Sequence, residues 1–178
     1  MLHARSVAAL LMSITLSTTA MAQAPATSAA TSAADSAPAA LTGSWRLLSY
    51  DVEVKDTGET FPPMGNRPTG YVMFAPEGRV WFVLTGEGRE AGETDQEKAR
   101  LLETVIAYTG RWRIEGDTWI TAVDVAWNPA WVGTEQRRQF KLEGERLQVL
   151  TPWRVMPNWA DKGETRSIIT FKRARETR

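Results

Sequence analysis

Cysteine is absent from this chain of 178 residues, and its one histidine, His3, lies at the extreme N-terminus. Without cysteine there is no disulfide, thiol nucleophile or thiolate metal site, so stability must come from packing. Without histidine beyond His3, the folded region has no imidazole for catalysis or metal binding. The formal net charge is zero, because 21 Lys and Arg offset 21 Asp and Glu. No net field therefore recruits nucleic acid, and we predict no nucleic-acid partner.

The first 22 residues have the pattern of a secretory signal peptide. A short positive start precedes an apolar run, Ser6 to Leu16, which is too short to cross a bilayer as a helix. Ala20-Met21-Ala22 then supplies small residues at the two positions that cleavage requires. We predict cleavage after Ala22, a periplasmic or secreted mature protein, and no stable membrane span once the signal is removed.

Residues 23–40 consist almost only of Ala, Ser, Thr and Pro. This composition lacks the apolar bulk that would offset the entropy of ordering it, so we predict a flexible linker. A single domain is predicted over residues 41–174, followed by a short tail at residues 175–178.

The domain is predicted to be all-β with one helix. Aromatic and β-branched residues are interrupted about every ten residues by turn signals, which is typical of an antiparallel sandwich or barrel. In the first strand, Gly43 to Val54, the apolar face changes after Leu47, which indicates a bulge because one extra residue moves every later side chain to the opposite face. Further strands are predicted at residues 70–74, 79–84, 108–115, 118–127, 134–142, 146–150 and 165–173. About eight strands suffice for a closed barrel that side chains or one small ligand fill.

The helix is predicted from Asp95 to Ala107. Thr94 and Glu97 have the spacing of a capping box at its start. We expect the helix to pack over one end or flank of the barrel. Its apolar side consists of Leu101, Leu102, Val105 and Ile106.

Three ordered stretches of the chain are Leu41 to Tyr50 (LTGSWRLLSY), Trp131 to Arg138 (WVGTEQRR) and Gly144 to Leu147 (GERL). Together they resemble the bacterial and fungal lipocalin-like domain family over about residues 41–174. The resemblance implies an antiparallel lipocalin-like β-barrel of about eight strands, in a family most of whose members have no established activity. Members often carry a histidine on the strand corresponding to Ile120 to Val125, and this chain has none there. Imidazole chemistry is therefore not expected of this protein.

Eight tryptophans need a structural role, because each buries a large area on folding. Alternation along the strands places three of them in the core, with Trp45 at the closed end of the barrel: Trp45, Trp112 and Trp119. Four others lie at strand ends or in loops beside prolines, where rings can line a ligand pocket or a core: Trp127, Trp131, Trp153 and Trp159. For these four both roles stay open.

Arg138 shares one face of its predicted strand with Gln136 and Phe140, so the guanidinium is internal if that face points inward. A buried Arg needs an anionic partner, either an internal carboxylate or an anionic ligand. Asp124 on the adjoining strand is the internal candidate, provided that it shares the face of Arg138. The predicted ligand-binding residues are Tyr50, Tyr108, Asp124, Trp127, Trp131, Gln136, Arg138 and Trp153.

No phosphate loop, spaced carboxylate pair or nucleophile motif is visible, so we assign no catalytic residue, metal site or cofactor. The favoured hypothesis is an exported protein that binds a small hydrophobic or aromatic molecule in the barrel. One alternative is a cofactor-free isomerase or cyclase, with Tyr50, Tyr108, Asp124 or Arg138 as acid, base or anion stabiliser. The other is an envelope protein that presents its loops to a partner. The sequence does not give the oligomeric state.

Overall fold

The computed structural model describes residues 39–175, apart from the side chains of residues 157 and 158. The predicted signal peptide, the linker up to residue 38 and the last three residues of the predicted tail lie outside the described part. In chain order the strands are β1 Gly43–Val54, β2 Thr60–Phe61, β3 Thr69–Phe74, β4 Arg79–Thr85, β5 Val105–Glu115, β6 Thr118–Ala126, β7 Glu135–Glu143, β8 Arg146–Leu150, β9 Arg154–Val155 and β10 Glu164–Arg173. Helix α1 is Asp95–Glu103, and two 3-10 helices are Pro129–Trp131 and Pro157–Lys162.

Eight of these strands form a closed antiparallel barrel. Each pairs with the next in the order β1, β3, β4, β5, β6, β7, β8 and β10, and β10 pairs with β1 to complete the circle. The short strands β2 and β9 add to β1 and β10. The barrel predicted from the sequence is therefore confirmed, and closure leaves its eight long strands without a free edge along most of their length.

The bulge predicted in β1 is present. The register against β10 shifts between Leu47 and Ser49. Trp45 and Leu47 are buried before the shift, and Tyr50 is buried after it. A bulge bends a strand and increases its twist. In agreement with this, β1 pairs with β3 only over Gly43 to Arg46, and its later residues pair with β2.

Aromatic side chains fill one end of the barrel. Trp45 is fully buried and donates its indole N–H to the Leu41 carbonyl at 2.8 Å. The Phe74 ring meets Trp112 and Trp119 edge-on, at centroid distances of 5.0 and 4.8 Å. This end is closed by side chains, as predicted for Trp45.

A second bulge lies in β6 and changes which of the side chains after it point toward the core. The register against β5 shifts between Thr109 and Gly110, where Thr109 pairs with Val125 and Gly110 with Val123. Asp124 is the extra residue. Regular alternation would place Val125 on the face of Val123, but Val123 is buried whereas Val125 is 62% exposed.

On the outer surface, charged side chains cover Ile120. Arg113 and Arg137 each contact both Glu115 and Glu135, at nitrogen–oxygen distances between 2.6 and 3.1 Å. Ile120 pairs with Arg113 on one side and Arg137 on the other. It has no exposed surface, although its side chain points away from the core faced by its neighbours Trp119 and Thr121.

Helix α1 begins as predicted, with a capping box between Thr94 and Glu97, but it ends at Glu103 rather than Ala107. Val105 and Ile106 are instead the first residues of β5 and pair with Thr85 and Leu84. β-branched residues favour a strand over a helix, and these two form the hydrogen-bonded pairing with β4. No helix within residues 39–175 is both long and apolar enough to cross a bilayer.

Candidate functional site

The end of the barrel opposite Trp45 holds a cavity of about 260 Å³. Two inward-facing core residues, Phe82 on β4 and Ile169 on β10, form part of its wall inside the barrel. Loops and α1 supply the rest, including Met64 after β2 and Leu102 on the helix. The walls are thus largely apolar, which is typical of small-molecule sites.

Two tryptophans form an aromatic wall at the mouth. Trp127 is 36% exposed, and its ring meets Trp131 edge-on at 6.2 Å. Trp131 in turn lies edge-on to Tyr108 at 5.7 Å. A local hydrogen bond stabilises the short helix that carries Trp131. The Asn128 side chain accepts the Ala130 N–H at 3.0 Å and caps this 3-10 helix.

A buried cation faces the cavity from β7. Arg138 is 5% exposed, and its guanidinium carbon lies 5.7 Å from the centre of the Tyr108 ring. Two of its N–H groups donate to the Gln136 side-chain oxygen at 3.4 Å, which is long for a hydrogen bond. Its Nε has no partner within residues 39–175. A buried charge so poorly satisfied is unusual in a folded protein.

Arg154 on β9 is a second cation in the wall. Its partial burial and, next, the charge of Arg138 lower the pKa of this guanidinium from its ordinary value. In the described part of the chain, neither arginine forms an ion pair. Two cations therefore share one side of the cavity without a carboxylate between them.

Both arginines lie near the point where β7 and β8 separate. Their pairing reaches only as far as Gln139 and Leu150, so Arg138 and Thr151 are the first residues beyond the ladder. A second pocket of about 220 Å³, called here the outer pocket, lies at this gap and is lined by Arg138, Thr151 and Arg154 among others. The guanidinium groups thus lie between the cavity and the surface.

Buried hydroxyl groups complete this side. The Tyr50 and Ser167 oxygens are 2.8 Å apart, in a hydrogen bond that either hydroxyl can donate. Burial raises the pKa of Tyr50, although Ser167, Arg138 and Arg154 act in the opposite direction. Burial also raises the pKa of Tyr108, whose hydroxyl has no partner in residues 39–175. Both phenols are therefore neutral near pH 7 and available as hydrogen-bond donors.

Four of the ligand-binding residues predicted from the sequence line the cavity: Tyr50, Trp127, Trp131 and Arg138. Tyr108 lies behind this wall, against Arg138 and Trp131. Gln136 lines the outer pocket and contacts Arg138.

Two predicted residues lie elsewhere. Asp124 is on the outer surface, where it accepts two hydrogen bonds from Arg79 at 3.0 and 2.8 Å, which lower its pKa. Asp124 follows the buried Val123 and so points outward, whereas Arg138 is opposite Trp119 on the face that points into the core. The two residues do not share a face, which was the condition for their pairing. Trp153 stacks under Arg166, whose guanidinium carbon is 4.4 Å from the ring, and does not line the cavity.

Three further residues line the cavity although no sequence pattern pointed to them: Thr151, Arg154 and Met64. Thr151 accepts the Ser167 N–H at 2.8 Å, which holds the segment after β8 against β10. These residues lie in irregular or very short elements, where no periodicity shows which side chains point inward. The one available signal is the pair Pro152 and Pro157, which indicates that no long strand runs through this segment.

Within residues 39–175, no three acidic or histidine side chains lie close enough together to hold a metal ion. In comparisons with known proteins, residues 42–174 match a family model described as a lipocalin-like domain. The match spans the whole barrel and every residue of the cavity wall. No curated protein matches the chain.

Proposed function

Because the chain belongs to the lipocalin-like domain family, we propose that its barrel binds one small, largely apolar or aromatic molecule at the open end. The cavity supports this proposal most directly. One end of the barrel is filled by Trp45 and its neighbours, whereas the other encloses about 260 Å³ between apolar and aromatic walls. We also propose that binding takes place outside the cytoplasm, which the signal-peptide pattern of residues 1–22 supports.

The rim suits entry of a flat or apolar molecule. Trp127 is partly exposed beside Trp131, and Leu102 on α1 is 57% exposed while it also lines the cavity. Apolar surface at a mouth gives a ligand favourable contacts before it is enclosed, and aromatic rings add edge or stacking contacts. The enzyme and partner-display hypotheses have no observation in this geometry that favours them over binding.

The test is titration of the full mature chain with N-phenyl-1-naphthylamine, a neutral aromatic probe whose fluorescence rises in apolar surroundings. We expect saturable binding at one site. Replacing Trp131 with Ala should weaken binding about tenfold, because a large part of the aromatic wall is lost. Trp153→Ala is the matched control, since this tryptophan lies outside the cavity. Absence of saturable binding to the folded protein would refute the proposal.

A further inference from the structure

The cavity holds two cationic side chains without an anionic partner, and we propose that Arg138 and Arg154 together bind the anionic group of the ligand. The ligand class is then an amphiphile with an apolar or aromatic body and one oxyanion, such as a carboxylate. This inference rests on the proposed function, because it concerns the same cavity.

Arg138 is a buried charge with little compensation from the described residues. Its side chain is only 5% exposed to solvent. It has only long contacts to Gln136 and a ring contact to Tyr108, while Nε has none among the described residues. A protein seldom keeps a charge buried with so little compensation unless another group completes the site.

A second positive charge lies near Arg138. Arg154 also lines the cavity, and Arg138 disfavours its charged form. Placing two guanidinium groups together is unfavourable on its own, and an anion between them reverses the sign of the interaction. The pair is therefore explained by an anion that is not part of the described chain.

Carboxylates of the described chain do not fill this role. Glu103 lines the cavity from α1 but forms no ion pair with either arginine. Glu135 lines the outer pocket, where Arg113 and Arg137 already hold it. Asp124, the predicted partner, is held by Arg79 on the outer surface.

Neutral donors lie on the same side of the cavity. Thr151 accepts the Ser167 N–H through its hydroxyl oxygen, which leaves its own hydroxyl hydrogen free to donate. Tyr50 is a buried neutral phenol that also lines the cavity. The remaining wall is mainly apolar, so the ligand's oxyanion belongs beside the arginines and its body beside Trp131 and Phe82.

A matched pair of probes tests the inference on the full mature chain. 1-Anilinonaphthalene-8-sulfonate has the same aromatic framework as N-phenyl-1-naphthylamine and adds one sulfonate. We expect the protein to bind the anionic probe at least tenfold more tightly than the neutral one. We expect each of two variants, Arg138→Met and Arg154→Met, to lower the affinity for the anionic probe about tenfold. The affinity for the neutral probe should change by less than about twofold.

Two controls separate a site from a general effect. Arg111→Met removes the same charge from an exposed position outside the cavity and should leave both affinities unchanged. Probe bound to the outer surface would be insensitive to Trp131→Ala. If Arg138→Met does not fold, as judged by thermal unfolding, the half-buried Arg154 still gives the same readout.

The outcomes are distinct. The anion site is refuted if the protein binds the neutral probe and shows no preference for the anionic one. It is also refuted if Arg154→Met changes the affinity for both probes alike. In either case the binding function stands. If Arg111→Met weakens the anionic probe as much as Arg154→Met, long-range charge explains the preference and the inference is also refuted. If the neutral probe shows no saturable binding to the folded protein, the proposed function itself fails.

Discussion

Arg173 lies across the face of Trp45, with its guanidinium carbon 4.1 Å from the centre of the ring. The same guanidinium donates to the Thr42 carbonyl at 3.0 Å and to the Ala40 carbonyl at 2.5 Å. The end of the last strand therefore holds the segment that precedes the first. This contact lies at the closed end of the barrel, where Trp45 is fully buried.

We expect Arg173→Met to lower the free energy of unfolding by about 1–2 kcal/mol, because it removes a cation–π contact and two hydrogen bonds to carbonyls. Trp45→Ala should cost more, about 3–5 kcal/mol, since it leaves a cavity in the core. Urea denaturation measures both. Arg175→Met is the control, because Arg175 is exposed and contacts only Glu145 among the described residues; equal losses at residues 173 and 175 would contradict the interpretation.

Alkaline pH should destabilise the protein through Tyr50 and Tyr108. Burial raises the pKa of both phenols above the ordinary value of 10.0, so above pH 10 the unfolded chain releases protons that the folded one keeps. Stability is then fully present below pH 10 and falls as the pH rises, by up to about 1.4 kcal/mol per pH unit for each phenol.

Urea denaturation from pH 8 to 11 tests this slope. Tyr108→Phe should reduce the loss of stability per pH unit. It should change the stability at pH 8 only slightly, because the Tyr108 hydroxyl has no partner among the described residues. Tyr71→Phe is the control, since this phenol is on the outer surface. A slope that Tyr108→Phe leaves unchanged would show that other groups cause it.

Ile120 should behave as a core residue although it points outward. Because the charged side chains of Arg113, Glu115, Glu135 and Arg137 cover it completely, we expect Ile120→Ala to cost about 2–4 kcal/mol. Val125→Ala on the same strand should change stability by less than about 0.5 kcal/mol, because Val125 is largely exposed. Similar losses in urea denaturation would mean that the charged cover does not exclude water.

Gly110 should not accept a side chain. A Cβ at this position would lie 2.0 Å from the Ala122 carbonyl oxygen on the neighbouring strand, so the β5–β6 ladder would have to separate. We expect Gly110→Ala to cost about 3 kcal/mol or more. At Gly116 the same change meets open space and costs about 1 kcal/mol for its positive φ of 61°. Thermal unfolding compares the two, and equal values would exclude the steric explanation.

Loss of the Thr94 cap should affect α1 alone. The helix has no buried residue, so its opening is not coupled to the core. Thr94→Ala should weaken the helix by about 1 kcal/mol and speed hydrogen exchange in residues 95–103 several-fold. The urea midpoint of the whole domain should stay unchanged. A parallel fall in that midpoint would show that the helix is part of the cooperative unit.

The sequence predicted those features of the fold that depend on a local pattern. The bulge of β1 was visible because Trp45 and Leu47 alternate in one phase and Tyr50 and Val52 in the other. The end of α1 was not, since Leu101, Leu102, Val105 and Ile106 continue a helical spacing while the last two belong to β5. There the pairing with β4 decides the structure, and that pairing depends on residues twenty positions away.

The site could be predicted only in part for a similar reason. Arg138 was identified because β7 alternates regularly, which places it on one face with Gln136 and Phe140. The sequence left open whether that face points inward, and the structure shows Arg138 buried. Trp131 and Trp153 each come one or two residues after a proline, so their sequence contexts are similar. Only Trp131 lines the cavity. Their difference comes from tertiary contacts, namely the Tyr108 ring for one and Arg166 for the other.

The pairing of β1 with β10 also determines where the domain can be attached or cut. Trp45 and Arg173 are register partners, so the first and last strands begin and end side by side, away from the mouth. A fusion partner joined directly before β1 or directly after β10 would therefore leave the cavity unobstructed. A short link between the ends of β10 and β1, with new termini opened at the Gly116 turn at the same end of the barrel, would yield a circular permutant that keeps every cavity-lining loop intact.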